Sequence, residues 1–236
     1  MLVDAFRYPF RGDDARTVWA ALAGFGLAAA LLARFAVGLY PTVVALVPAL
    51  LAVVPVLLWA GYCHAVVATT IAGDADPPSL GSMRELGSDG ARTAVLTVAS
   101  LSIPTVVLLV TVQGVGSLSP SEVSGGGGAL FVLGGTVTVC LALAIVYLFP
   151  GALAVLATDG SLAEALDPRG RLHVYRHSAY FLTWTVAFVV GGIGATLFGV
   201  VLANRGALGL FALVVSVYTS LVAARLTGAG YRRVVG

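Results

Sequence analysis

The chain alternates between long apolar runs and short polar connections. Each apolar run has about 20 residues or more, enough for a helix to cross a hydrocarbon layer roughly 30 Å thick. The pattern predicts an all-α fold, a polytopic bundle of six transmembrane helices that forms a single integral membrane domain over residues 1–236. The predicted spans lie near residues 17–38, 42–64, 93–113, 129–156, 179–202 and 207–226.

The polar segment before the first apolar run, residues 1–16, is predicted to lie on the membrane surface. Its aromatic side chains Phe6, Tyr8 and Phe10 suit the membrane interface, and its arginines suit lipid phosphates.

Two polar connections, after the second and the fourth apolar run, share a short motif. Ser82 precedes Glu85 by three residues, and Ser161 precedes Glu164 by the same distance. Each pair predicts a capping box, in which the Ser hydroxyl and the Glu carboxylate satisfy free N–H groups at a helix start. We therefore expect a short amphipathic interfacial helix in each loop. A polar loop with one helical turn is the alternative.

Charge composition excludes an ordinary soluble domain and gives the chain an orientation. Only 10% of its residues are charged and its mean hydropathy is +1.00, whereas about a quarter of the residues of a soluble domain are charged. All 13 basic residues are arginine; eleven fall on one side of the six spans, and Arg34 and Arg205 fall on the other. Since arginine near span ends is retained in the cytoplasm, we expect a cell-membrane protein with both termini cytoplasmic.

The chemistry-bearing residues do not form a recognisable active site. The absence of lysine excludes a Walker-type phosphate loop and a Schiff-base lysine. His173 and His177 are four residues apart but lack a third ligand nearby, so we expect no metal, no cofactor and no catalytic residue. The net charge of +2 gives no case for nucleic-acid binding.

Two patterns within the spans are candidates for packing or transport. In the third span, Thr97, Ser100 and Thr111 fall on one helical face as a polar stripe. Such hydroxyls either line a solute path or, more often, bond to helix carbonyls. In the fifth span, a stripe of small residues recurs every four positions and predicts a close helix contact, within the bundle or with another chain. Its members are Gly191, Ala195 and Gly199.

Several segments resemble domain-of-unknown-function family 4013, multi-pass membrane proteins common in haloarchaea. The segments are "YPFRGDD", "AGDADPPSL", "ELGSDG", "FPGALAVLATDGSLAEAL" and "LTGAGYRR". The resemblance implies the fold and the topology, and it brings no activity with it. An excess of Asp over Glu and the exclusive use of Arg favour a GC-rich, salt-adapted prokaryotic source, and the resemblance implies an archaeal, halophilic one.

Two functions from different classes fit these observations. The first is a non-catalytic membrane component, a partner subunit, scaffold or lipid-organising protein, that uses the two capped loops as a cytoplasmic docking collar. The alternative is a small-solute transporter or channel that uses the polar stripe. Expected partners are membrane lipids and either other membrane subunits or further copies of the chain as a homo-oligomer. The collar residues expected to contact a partner or headgroups are Arg84, Glu85, Arg169, Arg171 and Arg176.

Overall fold

The structure, a computed structural model, describes residues 2–116, 127–204 and 206–235. In these ranges the secondary structure is helical and contains no strand, which confirms the predicted all-α class. The helices are α1 (Leu2–Arg7), α2 (Ala15–Leu39), α3 (Leu46–Ala72), α4 (Met83–Gly116), α5 (Gly127–Asp159), α6 (Leu162–Leu166), α7 (Leu172–Tyr175), α8 (Ser178–Ala203) and α9 (Ala207–Val235).

Six of these helices, α2, α3, α4, α5, α8 and α9, are long and apolar enough to cross a membrane. They coincide with the six predicted spans, so the chain is a multi-pass membrane protein. Helix α4 has 34 residues and is about 51 Å long at 1.5 Å per residue. It therefore extends well beyond a hydrocarbon layer of roughly 30 Å.

An even number of crossings returns the chain to the side on which it began. One face of the bundle therefore carries the N-terminal segment, the connections that follow α3 and α5, and the end of α9. We call it the arginine-rich face, and it comprises residues 2–16, 73–92, 160–177 and 225–235. The opposite face carries residues 40–45 and 204–206, of which residue 205 is not described.

Helices α3 and α9 form the centre of the bundle. Helix α9 packs against α8, α3 and α2, and α3 also packs against α2, α4 and α5. Half of the most apolar stretch of α9 is buried within the chain, compared with at most 28% for the other spans. The outer helices expose leucine and valine side chains such as Leu182 of α8, as expected of surfaces in contact with lipid.

Helices α3 and α4 cross at two glycines. A Cβ atom on Gly61 would overlap the carbonyl oxygen of Leu86, and a Cβ atom on Gly90 would overlap that of Leu57. Glycine is therefore required at both positions, because it lets the two backbones touch.

The close contact between α8 and α9 differs from the predicted small-residue stripe. A Cβ atom on Gly191 would lie 3.6 Å from the Cβ of Ala223, an ordinary contact distance, and a Cβ atom on Gly199 would meet none of the described residues within 4 Å. Gly194 makes the close contact instead, since a Cβ atom there would overlap Thr219. The stripe of Gly191, Ala195 and Gly199 is therefore rotated away from this contact, and its use by another chain stays a prediction.

The connection after α3 is folded back onto the helix. Gly73 ends α3 with a φ of +107°, a conformation that favours glycine. The N–H groups of Gly73 and Asp74 both donate to the carbonyl of Thr69 at 3.0 Å. Further along, the buried Tyr62 hydroxyl donates to the carbonyl of Pro78 at 2.7 Å. These bonds hold residues 73–78, which have the pattern Gly-Asp-x-x-Pro-Pro, against the bundle.

The two capped loops do not both form separate helices. The second cap begins the short helix α6, which stops before Pro168 because the residue ahead of a proline favours extended backbone; Asp167 has φ −89° and ψ 105°. After the first cap, α4 runs on into the membrane without a break. The expectation of a separate interfacial helix there was wrong, since the contact of Gly90 with α3 keeps this glycine-containing stretch helical.

Candidate functional site on the arginine-rich face

Both predicted helix caps are present. The hydroxyl of Ser82 accepts from the N–H of Glu85 at 3.2 Å, and the Glu85 carboxylate accepts from the N–H of Ser82 at 3.4 Å. In the second loop, the Ser161 hydroxyl accepts from the N–H of Glu164 at 3.3 Å. The first pair is a complete capping box, so the Glu85 carboxylate is already used by its own helix.

The two capped turns are packed into the bundle. Leu86 and Ala165, one from each turn, are buried, and α6 contacts both α4 and α5. Each turn nevertheless keeps one apolar side chain on the surface, Met83 at 53% exposure and Leu166 at 50%. The collar is therefore a fixed surface of mixed apolar and charged character.

The candidate contact residues of the collar divide into two groups. Arg84, Arg169 and Arg176 are exposed, and the described part of the chain gives none of them a salt bridge. Glu85 is also exposed, but its carboxylate takes part in the cap. Three free cationic groups therefore surround the capped turns.

Arg171 does not belong with the contact residues. Its side chain is only 8% exposed, and its Nη2 donates to the carbonyls of Ala165, at 3.0 Å, and of Glu164 and Asp167. Nη1 donates to the carbonyl of Gly151 at 3.5 Å. The guanidinium thus satisfies the free carbonyls at the end of α6 and joins them to α5. The expectation that Arg171 contacts a partner was wrong, because its donors are taken up inside the chain.

The N-terminal segment is tied to α2 and α9 by aromatic side chains. Trp19 donates through Nε1 to the carbonyl of Pro9 at 2.7 Å, and the Tyr218 hydroxyl donates to the carbonyl of Phe6 at 2.9 Å. The Phe10 ring stacks on Trp19 with the ring centroids 5.6 Å apart. The segment therefore lies against α2 and α9.

Tyr8 departs from the predicted interfacial position and is fully buried. Its ring lies beneath Arg225, whose Cζ is 4.4 Å from the ring centroid, a cation–π contact. Burial raises the pKa of the Tyr8 hydroxyl, although Thr69 and Arg225 act in the opposite direction. Arg225 Nη1 also donates to Thr70 at 3.1 Å and to the carbonyl of Asp74 at 2.7 Å. Arg225 thereby joins the N-terminal segment to the connection after α3.

A cleft of about 670 Å³ opens between the N-terminal segment and the end of α9. We call it the arginine cleft. Among the described residues that line it, one carries a carboxylate, Asp4, which pairs with Arg11 at 3.2 Å. The cleft is lined by Asp4, Ala5, Arg11, Thr70, Arg225, Leu226, Ala229, Arg232 and Arg233.

One member of the polar stripe of α4, Thr97, is bonded to its own helix. Thr97 donates to the carbonyl of Thr93, one turn earlier, at 2.7 Å. The Thr93 hydroxyl itself lies 3.1 Å from Nδ1 of the buried His64. Ser100 is half-buried, and the Thr111 side chain lies outside the described residues. The geometry at Thr97 favours the packing interpretation over a solute path.

The intramembrane charge nearest the opposite face also has a structural role. Arg34 donates through Nε to the carbonyl of Leu202 at 3.1 Å, and through Nη2 to those of Val201 and Asn204. It satisfies the last carbonyls of α8, a position where a cation also suits the helix dipole.

No metal centre accompanies these surfaces in the part of the chain that the structure describes, where no three His, Cys, Asp or Glu side chains come close enough to hold an ion. His177 instead accepts from the N–H of Ala179 at 3.2 Å and caps α8.

A family model described as "Protein of unknown function (DUF4013)" matches residues 43–204. The match runs from the start of α3 to the end of α8 and contains the whole collar. No curated protein and no solved structure matches the chain.

Proposed function

We propose that this chain, which belongs to the DUF4013 family of proteins of unknown function, is a non-catalytic component of the cell membrane whose docking collar binds a partner protein on the cytoplasmic side. The observation that carries the proposal is the pair of capped turns, which are packed into the bundle and still expose both apolar and cationic groups. Methionine and arginine are enriched in protein interfaces. Met83 and Arg84 supply them at one turn.

Rigidity of the collar supports docking. Binding costs less free energy when the surface is already ordered, and here Leu86, Ala165 and the buried Arg171 hold the turns in place. The free charges of Arg84, Arg169 and Arg176 favour a partner with an acidic surface, since complementary charge speeds association and orients the partner.

The orientation on which the proposal depends is tested by thiol labelling. Single cysteines are placed at Leu166 on the collar and at Thr42 on the opposite face, in a chain whose Cys63 and Cys140 are alanine. Because arginine is retained in the cytoplasm, we expect an impermeant reagent added to intact cells to label the Thr42 position and to spare the Leu166 position until the cells are opened. Labelling of the Leu166 position in intact cells would place the collar outside.

The docking role is tested by photo-crosslinking from the collar in the native membrane. A photoreactive residue at Met83 or at Leu166 is expected to give a protein adduct of discrete mass, because both side chains are exposed on the collar. The adduct should weaken in an Arg84→Gln, Arg169→Gln, Arg176→Gln chain, since surface charges near a partner contribute about 1 kcal/mol each. An adduct of twice the chain's mass would identify a second copy as the partner.

Two controls make the crosslinking interpretable. The same photoreactive residue at Val98, exposed on the membrane part of α4, should give no such protein adduct. The neutralised chain should insert with the labelling pattern of the parent, because other arginines remain on that face. If collar and Val98 positions give the same products, or if neutralisation leaves the adduct unchanged, the collar is only structural.

The transporter alternative rests on the polar stripe and predicts a different result. Under it, vesicles that contain the purified chain would take up a small solute, and flux would fall when Thr97 and Ser100 are replaced by alanine. The bond from Thr97 to its own helix makes packing the better-supported role.

A further inference from the structure

The arginine cleft collects positive charge that the described part of the chain does not neutralise. Four arginines and one aspartate line it, a formal charge of +3. Arg11 is paired with Asp4, but the described hydrogen bonds of Arg225 go to a hydroxyl and a backbone carbonyl, which are both neutral. Arg11 and Arg232 moreover repel Arg225 electrostatically. Like charges held together in this way are stabilised by a bound anion.

Neighbouring residues hold two arginines of the cleft, Arg225 and Arg232, in place. Arg225 is fixed by Tyr8 and Thr70, both buried. The guanidinium of Arg232 lies 3.1 Å from where a Cβ atom of Gly73 would stand. A side chain at position 73 would displace this guanidinium. Gly73 therefore leaves the space that Arg232 occupies at the end of α3.

The depth of the cleft matches the phosphate layer of the membrane. Helix α9 starts at Ala207 on the opposite face. At 1.5 Å per residue, Arg225 lies about 27 Å along it and Arg232 about 38 Å. A hydrocarbon layer of roughly 30 Å that begins at Ala207 and is crossed by an upright helix would end between them, at the level where lipid phosphates begin.

The lining has the amphipathic character of a lipid headgroup region. The arginines stand beside the apolar side chains of Ala5, Leu226 and Ala229, which a free phosphate ion would not need. The volume of about 670 Å³ is in the range of small-molecule sites. Guanidinium groups bind phosphate through paired, charge-assisted hydrogen bonds.

We propose that the arginine cleft binds the phosphate of an anionic phospholipid, with the headgroup among the arginines and the glycerol end against the apolar wall. The site is separate from the collar and does not depend on a docked protein. Most of its wall is built by the N-terminal segment and by the end of α9.

The proposal is tested on the full chain, purified in detergent and stripped of lipid. Dioleoyl phosphatidylglycerol, dioleoyl phosphatidylcholine and inorganic phosphate are titrated separately, and binding is read from the rise in the unfolding temperature and from the lipid retained by mass. Phosphatidylglycerol should stabilise the parent at the lowest concentration. Phosphatidylcholine should bind less tightly, because its choline cation is repelled by the arginines.

Cleft variants are compared with variants of equal charge elsewhere. Arg232→Gln with Arg233→Gln should weaken phosphatidylglycerol binding on the order of tenfold, given the attraction of each arginine for anionic lipid. Arg84→Gln with Arg176→Gln, which removes two exposed arginines of the collar, should change it less than about twofold.

A second pair of variants leaves every arginine in place. Ala229→Glu puts a carboxylate into the cleft and should also weaken binding, while Ala229→Gln has the same size without the charge and should not. Equal binding by the glutamate and glutamine variants would overturn the proposal, as would equal losses in the cleft and collar pairs. If inorganic phosphate displaces phosphatidylglycerol and stabilises the chain as well, the ligand is a free phosphate and the lipid assignment is wrong.

Discussion

Replacing Gly61 with alanine is expected to destabilise the bundle by about 3 kcal/mol or more, at or beyond the upper end of the usual cost of overpacking. A Cβ atom at this position would overlap the carbonyl oxygen of Leu86. That oxygen belongs to the α4 backbone and cannot rotate away, so the whole helix would have to move. Gly90→Ala is expected to act in the same way through the carbonyl of Leu57. Thermal unfolding in detergent measures both.

Gly87→Ala is the matched control for this prediction. Gly87 lies in α4 only three residues from Gly90, but a Cβ atom there would meet nothing within 4 Å. Alanine is favoured over glycine in a helix by about 1 kcal/mol, so this variant should unfold at the parent's temperature or above it. Identical unfolding of the Gly61→Ala and Gly87→Ala chains would contradict a backbone contact at the crossing.

Replacing Arg171 with methionine is expected to cost about 3 kcal/mol and to loosen residues 160–177. The change removes a buried cation bonded to carbonyls at the end of α6. Hydrogen bonds to charged groups contribute about 1.5 to 3 kcal/mol each, and the abandoned carbonyls would remain without partners. Amide hydrogen exchange, resolved by peptide mass, should rise in this segment, and the unfolding temperature should fall.

Arg169→Met provides the comparison, since Arg169 lies two residues away and is exposed. It should leave both measurements near those of the parent. Arg171→Lys should restore only part of the protection from amide exchange. A lysine ammonium is a compact point charge, whereas the planar guanidinium of arginine donates to several carbonyls at once. Unchanged exchange in Arg171→Met would show that these carbonyl contacts do not hold the loop.

The spans and the caps could be predicted because local chemistry determines them. Hydrocarbon thickness sets the length of an apolar helix, and the predicted span at 17–38 accordingly falls within Ala15–Leu39. A capping box needs only a serine and a glutamate three residues apart, so Ser82 and Ser161 were recognisable from the sequence.

The contacts between helices could not be predicted in this way. Small residues occupy both position 191 and position 194, and only the rotation of α8 about its axis decides that Gly194 meets Thr219. Two arginines flank Gly170 in one short turn. Arg171 is buried there, whereas Arg169 is exposed.

The arginine cleft could not be predicted from the sequence for a related reason. Its lining comes from the N-terminal segment, from the end of α3 and from the end of α9. The sequence shows these as three separate polar segments. Only the packing of α9 against α3 and α1 brings Arg11 and Arg232 to one place.

The attachment of the N-terminal segment to α9 constrains how the protein can be made. Phe6 and its hydrogen-bond partner Tyr218 are 212 residues apart, which at cellular rates of synthesis is an interval of about 10 to 40 s. Throughout that time the segment can contact Trp19 of α2, but its partner on α9 has not yet been made. Its aromatic side chains suit the membrane surface meanwhile, and the packing of the segment is completed only when α9 enters the bilayer.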